Sequence, residues 1–392
     1  MESNKKKFCL HFDQCSGCQS DVGLDFPPVW KDVLAYFYNH GIFSVNFYDG
    51  ARTKWRNRAK LAVRGDSKNP LIGLFKKGSH DVMPIPFCQI HYPEINQSVE
   101  IIRQLMIDNG LSPYNEVGGV GELRYLQFVV ERSSRKVQVV FVLNFLNLSS
   151  HKAKKWQTII ENLGKNDHGK LWHSLWINLN NKLTNTIFGS HWILCYGDEL
   201  LREQYGKITI CCQPSTFAQA NPDLFEKMLF RIEELVPQGA KVAEFYAGIG
   251  VIGLFLTHKS QWVRCAEINP HAEQCFSQSR NLLAPHEAEK ISFHTGSAQD
   301  LLSIIDEANV AIVDPPRKGL DCGMLEALNK VSTLESLLYI SCGWESFKRD
   351  CDRLIEGGWK LSMAEGYLFF PGSDHIEILA KFDRVLHRIT YA

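Results

Sequence analysis

From about Cys211 onward, five short β-rich runs alternate with helical stretches, and no other feature limits the possible folds as strongly. "KVAEFYA", "WVRCAEI", "ISFHTGS", "VAIVDPP" and "SLLYISC" are largely apolar and read as strands buried on both faces. Strands of this kind separated by helices form a parallel sheet, because parallel neighbours need a crossover connection rather than a tight turn. "NPDLFEKMLFRIEELV" leads in as a helix with apolar residues at helical spacing. "GYLFFPGSDHIEILAKFDR" reads as a closing strand pair. The expected class is α/β, with a Rossmann-like domain over 206–392.

Residues 25–205 read as an α+β central domain. "WRNRAKLAVRG" and "NPLIGLFKKGS" form one expected hairpin, and "RYLQFVVERSSRKVQVVFVLN" holds a second around "RSSRK". Residues 1–24 carry three cysteines and little that builds a core. No apolar stretch approaches the ~20 residues of a membrane helix. "MESNKKKFCL" is not followed by the apolar run of a signal peptide. The expected setting is the cytoplasm, with no membrane contact and a monomeric chain. Lys plus Arg equals Asp plus Glu at 43 each, which excludes a basic coat. Nine cations (residues 52, 54, 56, 58, 60, 64, 68, 76 and 77) nevertheless stand against one acid, Asp66. Such a run fits either a polyanion-binding face or a solvated strand face.

Gly248-Ile249-Gly250-Val251-Ile252-Gly253 follows the first of the five runs and opens a helix, which lets backbone approach a nucleotide closely. Glu267 ends the next run, 19 residues after Gly248, where a carboxylate would reach ribose hydroxyls. That pair alone leaves dinucleotide dehydrogenase and methyltransferase equally open. Asp314-Pro315-Pro316-Arg317 separates them: two prolines stiffen a turn at the carboxyl end of the fourth run, where open α/β sheets bind ligands. A dehydrogenase has no need of it, whereas many methyltransferases acting on planar bases carry a similar turn beside the flipped base; the bland reading is a plain strand end. Cys342 ends the fifth run. A thiolate there would attack C6 of a pyrimidine and make C5 nucleophilic, although a lone cysteine is more often structural. Alternation along a strand places His375 and Glu377 on one face, and Glu377 would serve as the base for the C5 proton.

Cys9, Cys15, Cys18 and the distant Cys88 form a four-thiol set. One C-x2-C with two singles fits an iron–sulfur cluster better than zinc, whose sites pair two close doublets, and unligated cysteines remain a third reading. Cys195, Cys211, Cys212, Cys265, Cys275, Cys322 and Cys351 lie mostly in apolar runs and read as core.

Taken together, "FYAGIGVIGL", "CAEINP", "DPPRKGL", "YISCGWESFKRD", "SDHIEILAKF" and "QPSTFAQANPDL" resemble, in order and spacing, the RNA uracil-5-methyltransferases, the TrmA, RlmD and RlmC group. The resemblance spans nearly the whole chain. It implies an S-adenosyl-methionine-dependent methyltransferase domain, with Gln219, Tyr246, Glu267 and Asp314 on the methyl donor beside Gly248 and Gly250. It implies Cys342 as nucleophile, Glu377 as base, and a 4Fe-4S cluster on Cys9, Cys15, Cys18 and Cys88. The sequence departs from the family pattern at Glu244-Phe245, Ala247, Ser297 and Gly343-Trp344, the last pair standing where Asn-Pro is common. The early Cys9 and "LSPYNEVGGVGELRYLQF" look most like the RlmC branch, which implies uridine 747 of 23S ribosomal RNA as target. Uridine 1939 or the tRNA T-loop are the alternatives within the family. A nicotinamide or flavin oxidoreductase and a silent RNA-binding protein are the alternatives outside it. RNA would dock on Arg52, Lys54, Arg56, Arg58 and Lys60.

Overall fold

The structure is a computed structural model and describes residues 9–12, 14–18, 25–184 and 186–385. Parts of the expected cysteine segment (1–8, 13 and 19–24) lie outside the described residues. The chain divides into two compact units, one of residues 1–21, 51–203 and 219–222, the other of residues 22–50, 204–218 and 223–392.

The first unit is built on a seven-stranded sheet. Arg58–Gly65 and Pro70–Phe75 pair antiparallel, as do Leu123–Val130 and Val137–Leu143, so both expected hairpins form. Alternation along these strands sends Leu61, Val63, Leu126, Phe128, Val139 and Phe141 into a core shared with helices Pro93–Asn109 and His151–Asn166.

The second unit holds an eight-stranded sheet of β1 (Asn46–Tyr48), β2 (Lys241–Phe245), β3 (Trp262–Glu267), β4 (Ile291–Thr295), β5 (Val310–Val313), β6 (Ser336–Ser341), β7 (Trp359–Tyr367) and β8 (Glu377–Arg384). Their spatial order is β1-β7-β8-β6-β5-β2-β3-β4. β2 through β6 are mutually parallel, as the five apolar runs require, and β8 enters antiparallel between β6 and β7. Strand order reverses between β2 and β5, which opens a crevice at their carboxyl ends. The strand pair of the closing segment starts earlier than the sequence suggests, at Trp359, and β8 begins only at Glu377. His375 therefore precedes the strand, so alternation does not set its face. The helices of this unit used below are α1 (Trp30–Asn39) and α2 (Trp344–Glu356).

Five of the seven cysteines expected in the cores are buried; Cys195 is half-buried and Cys322 exposed. Cys322 opens helix Cys322–Lys330, where its sulfur accepts from Arg353 at 3.6 Å instead of entering the core.

Candidate active site

β2 ends at Phe245, and Tyr246 follows with φ at +61°, a left-handed backbone that a tyrosine adopts only under constraint. Gly248 and Gly250 take φ of +57° and +76°, and helix Val251–Leu256 starts from Gly250. The loop is fastened from β3: both Glu267 oxygens accept backbone N–H groups, from Gly248 at 2.9 Å and Asn269 at 2.8 Å. Glu267 thus stands at the loop's own glycine, at the carboxyl edge of the sheet. Gln219, singled out for the same ligand, lies in the short segment 219–222 of the first unit. Ser297 donates to Asp300 at 2.6 Å.

Asp314 continues β5 at the adjacent strand end, and its N–H reaches the carbonyl of Phe245 at 3.4 Å. Cys342 continues β6. The antiparallel pairing of β6 and β8 ends at Ser341 opposite Ile378, so Cys342 and Glu377 occupy the next register position. Two residues far apart in the chain thereby flank the last pair of this ladder at one edge of the sheet.

Their electrostatics form one system. Burial pushes the Cys342 thiol up to about 11, and the nearby Glu377 and Asp314 carboxyls add to the rise while Arg317 opposes it. Glu377 is buried, and desolvation, then Asp314, raise it to about 8 against the pull of Arg317. Desolvation alone lifts Asp314 to about 7. Three acids and one guanidinium are thus gathered at neighbouring strand ends. Carboxyls held near neutrality can take a proton and return it at ordinary pH, as general bases require. Arg317, quoted in the Pro-Pro turn but given no role, is the cation that both Cys342 and Glu377 experience. The tetrapeptide itself was the available signal.

Glu244 lies beneath the glycine loop, 2% exposed. Its Oε2 accepts from the Cys265 thiol at 3.2 Å, and burial raises its carboxyl to about 8.

The four thiols of the cysteine set lie in the first unit, none in a disulfide. Burial raises Cys15, Cys18 and Cys88, with Cys18 reaching about 12; Cys9 adds to all three and Cys88 to Cys18. The Cys15 sulfur accepts from Gly17 N–H and the Cys9 sulfur from His11 N–H, each at 3.4 Å. The segment is pinned to the Pro70–Phe75 strand by a bridge of Cys15 to Lys76 and by Ser16 N–H on Phe75 O at 3.3 Å. Among the described residues, no group of three or more His, Cys, Asp or Glu is placed to hold a metal ion. A single tetrahedral zinc would need its four sulfurs within about 4 Å of one another.

The proposed RNA cations separate. Lys54 and Lys60 are exposed, Arg52 and Arg58 half-buried. Arg56 is half-buried like Arg52 and Arg58, its Nε donates to Arg58 O at 2.9 Å, and burial lowers its pKa while the Cys88 and Cys18 thiols oppose that shift. No helix among the described residues is long and apolar enough to cross a membrane.

An eight-stranded α/β sheet with a glycine loop at its switch point and a Cys–Glu pair at the next strand ends has the layout of a methyltransferase. The sequence profile described as tRNA (Uracil-5-)-methyltransferase matches residues 31–382, and the chain belongs to that family. A protein of Protochlamydia amoebophila described as an uncharacterized RNA methyltransferase is 47% identical over 96% of this chain and 97% of its own length. One from Enterococcus faecalis with the same description is 30% identical over 82% of this chain and 70% of its own. The solved tRNA (uracil-54, C5)-methyltransferase of Pyrococcus abyssi, in complex with S-adenosyl-L-homocysteine, superposes with a TM-score of 0.72 at 22% identity, covering 88% of this chain and 83% of that one. This last likeness is one of fold.

Proposed function

We propose that the enzyme transfers a methyl group from S-adenosyl-methionine to C5 of a uracil in 23S ribosomal RNA, uridine 747, through a covalent bond from Cys342 to C6. The observation that carries this reading is the register: Cys342 and Glu377 flank the last β6–β8 pair, within electrostatic reach of each other and of Arg317.

The Cys342 thiol loses its proton to water and the thiolate forms a bond to C6, while the electron pair of the C5–C6 double bond moves onto C5 and the O4 enolate. C5 takes the methyl group from the sulfonium, leaving the neutral thioether. Glu377 then removes the C5 proton, the double bond reforms and the sulfur departs. Arg317 offsets the negative charge that accumulates on this group. Tyr246, Gly248, Gly250, Glu267 and Asp314 bind the donor at the crevice edge. The left-handed backbone at Tyr246 and the N–H bonds on Glu267 support a loop shaped in advance of binding.

Cys9, Cys15, Cys18 and Cys88 would hold a 4Fe-4S cluster, which would cross-link the segment to the sheet, although among the described residues they are not drawn together as a metal site. Four free thiols that sense one another, N–H donors on two sulfurs and the Arg56 guanidinium support this donor set. RNA docks through Lys54 and Lys60, and the target uridine leaves its stack to reach the cysteine.

The resemblance of the 111–128 segment and the four cysteines favour ribosomal RNA; the tRNA T-loop is the alternative that the family description and the Pyrococcus protein favour. Mapping 5-methyluridine in the RNA of cells lacking the gene separates them. Loss at uridine 747 alone is expected, while loss in tRNA with 23S RNA unchanged would overturn the assignment.

A further inference from the structure

α1 touches the flank of both reacting strand ends. At its start, Val29 N–H donates to Asp374 at 2.8 Å, three residues before Glu377. One turn on, Asp32 accepts from the indole N–H of Trp344 at 2.5 Å, two residues after Cys342. Asp32 also meets Lys348 at 3.0 Å, and the Tyr36 hydroxyl donates to Asp352 at 2.6 Å. Trp344 sets its ring edge against Tyr36 at 5.4 Å and lies against Phe37 and Phe347 at 5.7 and 5.8 Å. The indole N–H, ahead of Lys348, holds the Asp32 carboxyl below its usual range.

The residue between nucleophile and tryptophan fits the same arrangement. A Cβ at Gly343 would lie 2.6 Å from the carbonyl oxygen of Arg317, and Ser346 Oγ donates to that same oxygen at 2.8 Å. The turn carrying Asp314 and Arg317 therefore packs directly on the start of α2. The other end of that turn is held by Asp350, fully buried, which accepts Leu320 N–H at 2.7 Å and the Tyr339 hydroxyl at 2.8 Å. Gly343-Trp344 thus joins three pieces: the strand end bearing Cys342, the Pro-Pro turn and α1.

We infer that Asp32 and Trp344 are positioning residues, through which α1 clamps the start of α2 and sets the Cys342 sulfur against the target C6 and Glu377. The inference rests on Cys342 being the nucleophile. An attacking sulfur must sit within a few tenths of an ångström of its approach line, and about 1 Å of misplacement can cost a hundredfold in rate. β6 fixes Cys342 from one side only, since the chain turns immediately after it. The clamp supplies the other side.

The test uses the full-length holoenzyme in single turnover with in vitro transcribed 23S ribosomal RNA, and a transcribed tRNA pool as second probe. Asp32→Ala and Trp344→Phe should each lower the saturating rate about tenfold while leaving the RNA concentration for half-saturation within about twofold. Asp32→Asn, which keeps an oxygen for the indole N–H, should recover most of the rate. Asp32→Ala combined with Trp344→Phe should be no slower than either alone, because the two share one contact. Rates equal to the parent, losses confined to half-saturation, no recovery with Asn, or losses that multiply would each overturn the clamp. Cys342→Ala run beside them separates the two claims: turnover by that variant refutes the nucleophile, whereas its silence with an unaffected Asp32→Ala refutes the clamp alone.

Discussion

Cys342 stands out in the sequence because it sits where an apolar strand run stops, and Glu377 because it is an acid where one starts; strand ends are where an α/β sheet places its chemistry. Asp32 and Trp344 do not, since an indole–carboxylate contact between residues 312 positions apart leaves no local pattern. Glu244 is intermediate: the sequence marks it as a departure, and only the fold shows a carboxyl sealed beneath the glycine loop. Its proton has a consequence for stability. The folded protein holds Glu244 at about 8, above the ordinary 4.5 that the unfolded chain approaches. Below pH 4.5 both states are protonated and nothing is lost. Between 4.5 and 8 the unfolded state releases the proton first, so the contribution of Glu244 to stability falls as pH rises and is gone above 8. Glu244→Gln carries no such proton. Its melting temperature, measured against the parent from pH 5 to pH 9, should gain by several degrees across that range. A difference independent of pH would show that Glu244 is ionised throughout.

At the scale of elements, the five parallel strands and both hairpins follow from residue pattern, although β4 lies at the edge of the sheet and is only partly buried rather than covered on both faces. The ends are less readable. Glu377 opens β8 and His375 stays outside it, since the segment 371–376 is held by its own turn, with Ser373 N–H on Phe370 O at 3.1 Å. The cysteine segment shows the same limit. Its spacing is plain in the sequence, but nothing local reveals that Arg56 lies within electrostatic reach of Cys88 and Cys18. Anaerobically purified protein should be brown, with about four irons per chain, and replacing Cys9, Cys15, Cys18 or Cys88 by Ser should each remove the colour. A colourless protein with one zinc would refute the cluster.

On the scale of the whole molecule, the chain enters each unit more than once, and residues 22–50 belong with the β2–β8 sheet, to which β1 adds a parallel edge strand beside β7. Periodicity reports what a segment becomes, not which distant segment it joins; β1 is three residues long and carries no such address. The domain that performs the chemistry was readable because its strands, loop and turn follow one another in the chain. The helix that braces Trp344 does so from Asp32, 312 residues earlier, and no such sequence continuity marks it.

In the proposed reaction one thiol and one carboxyl act in succession on the same base. Glu377→Gln tests it most directly. With Cys342 intact, attack and methyl transfer should proceed, and the methylated uridine should stay attached because elimination needs the C5 proton removed. After incubation with 23S ribosomal RNA and S-adenosyl-methionine, a denaturing gel should show a protein–RNA band that is absent without the methyl donor and absent when Cys342 is also changed to Ala. Normal turnover by Glu377→Gln, or a band that survives loss of Cys342, would contradict the pairing of these two residues.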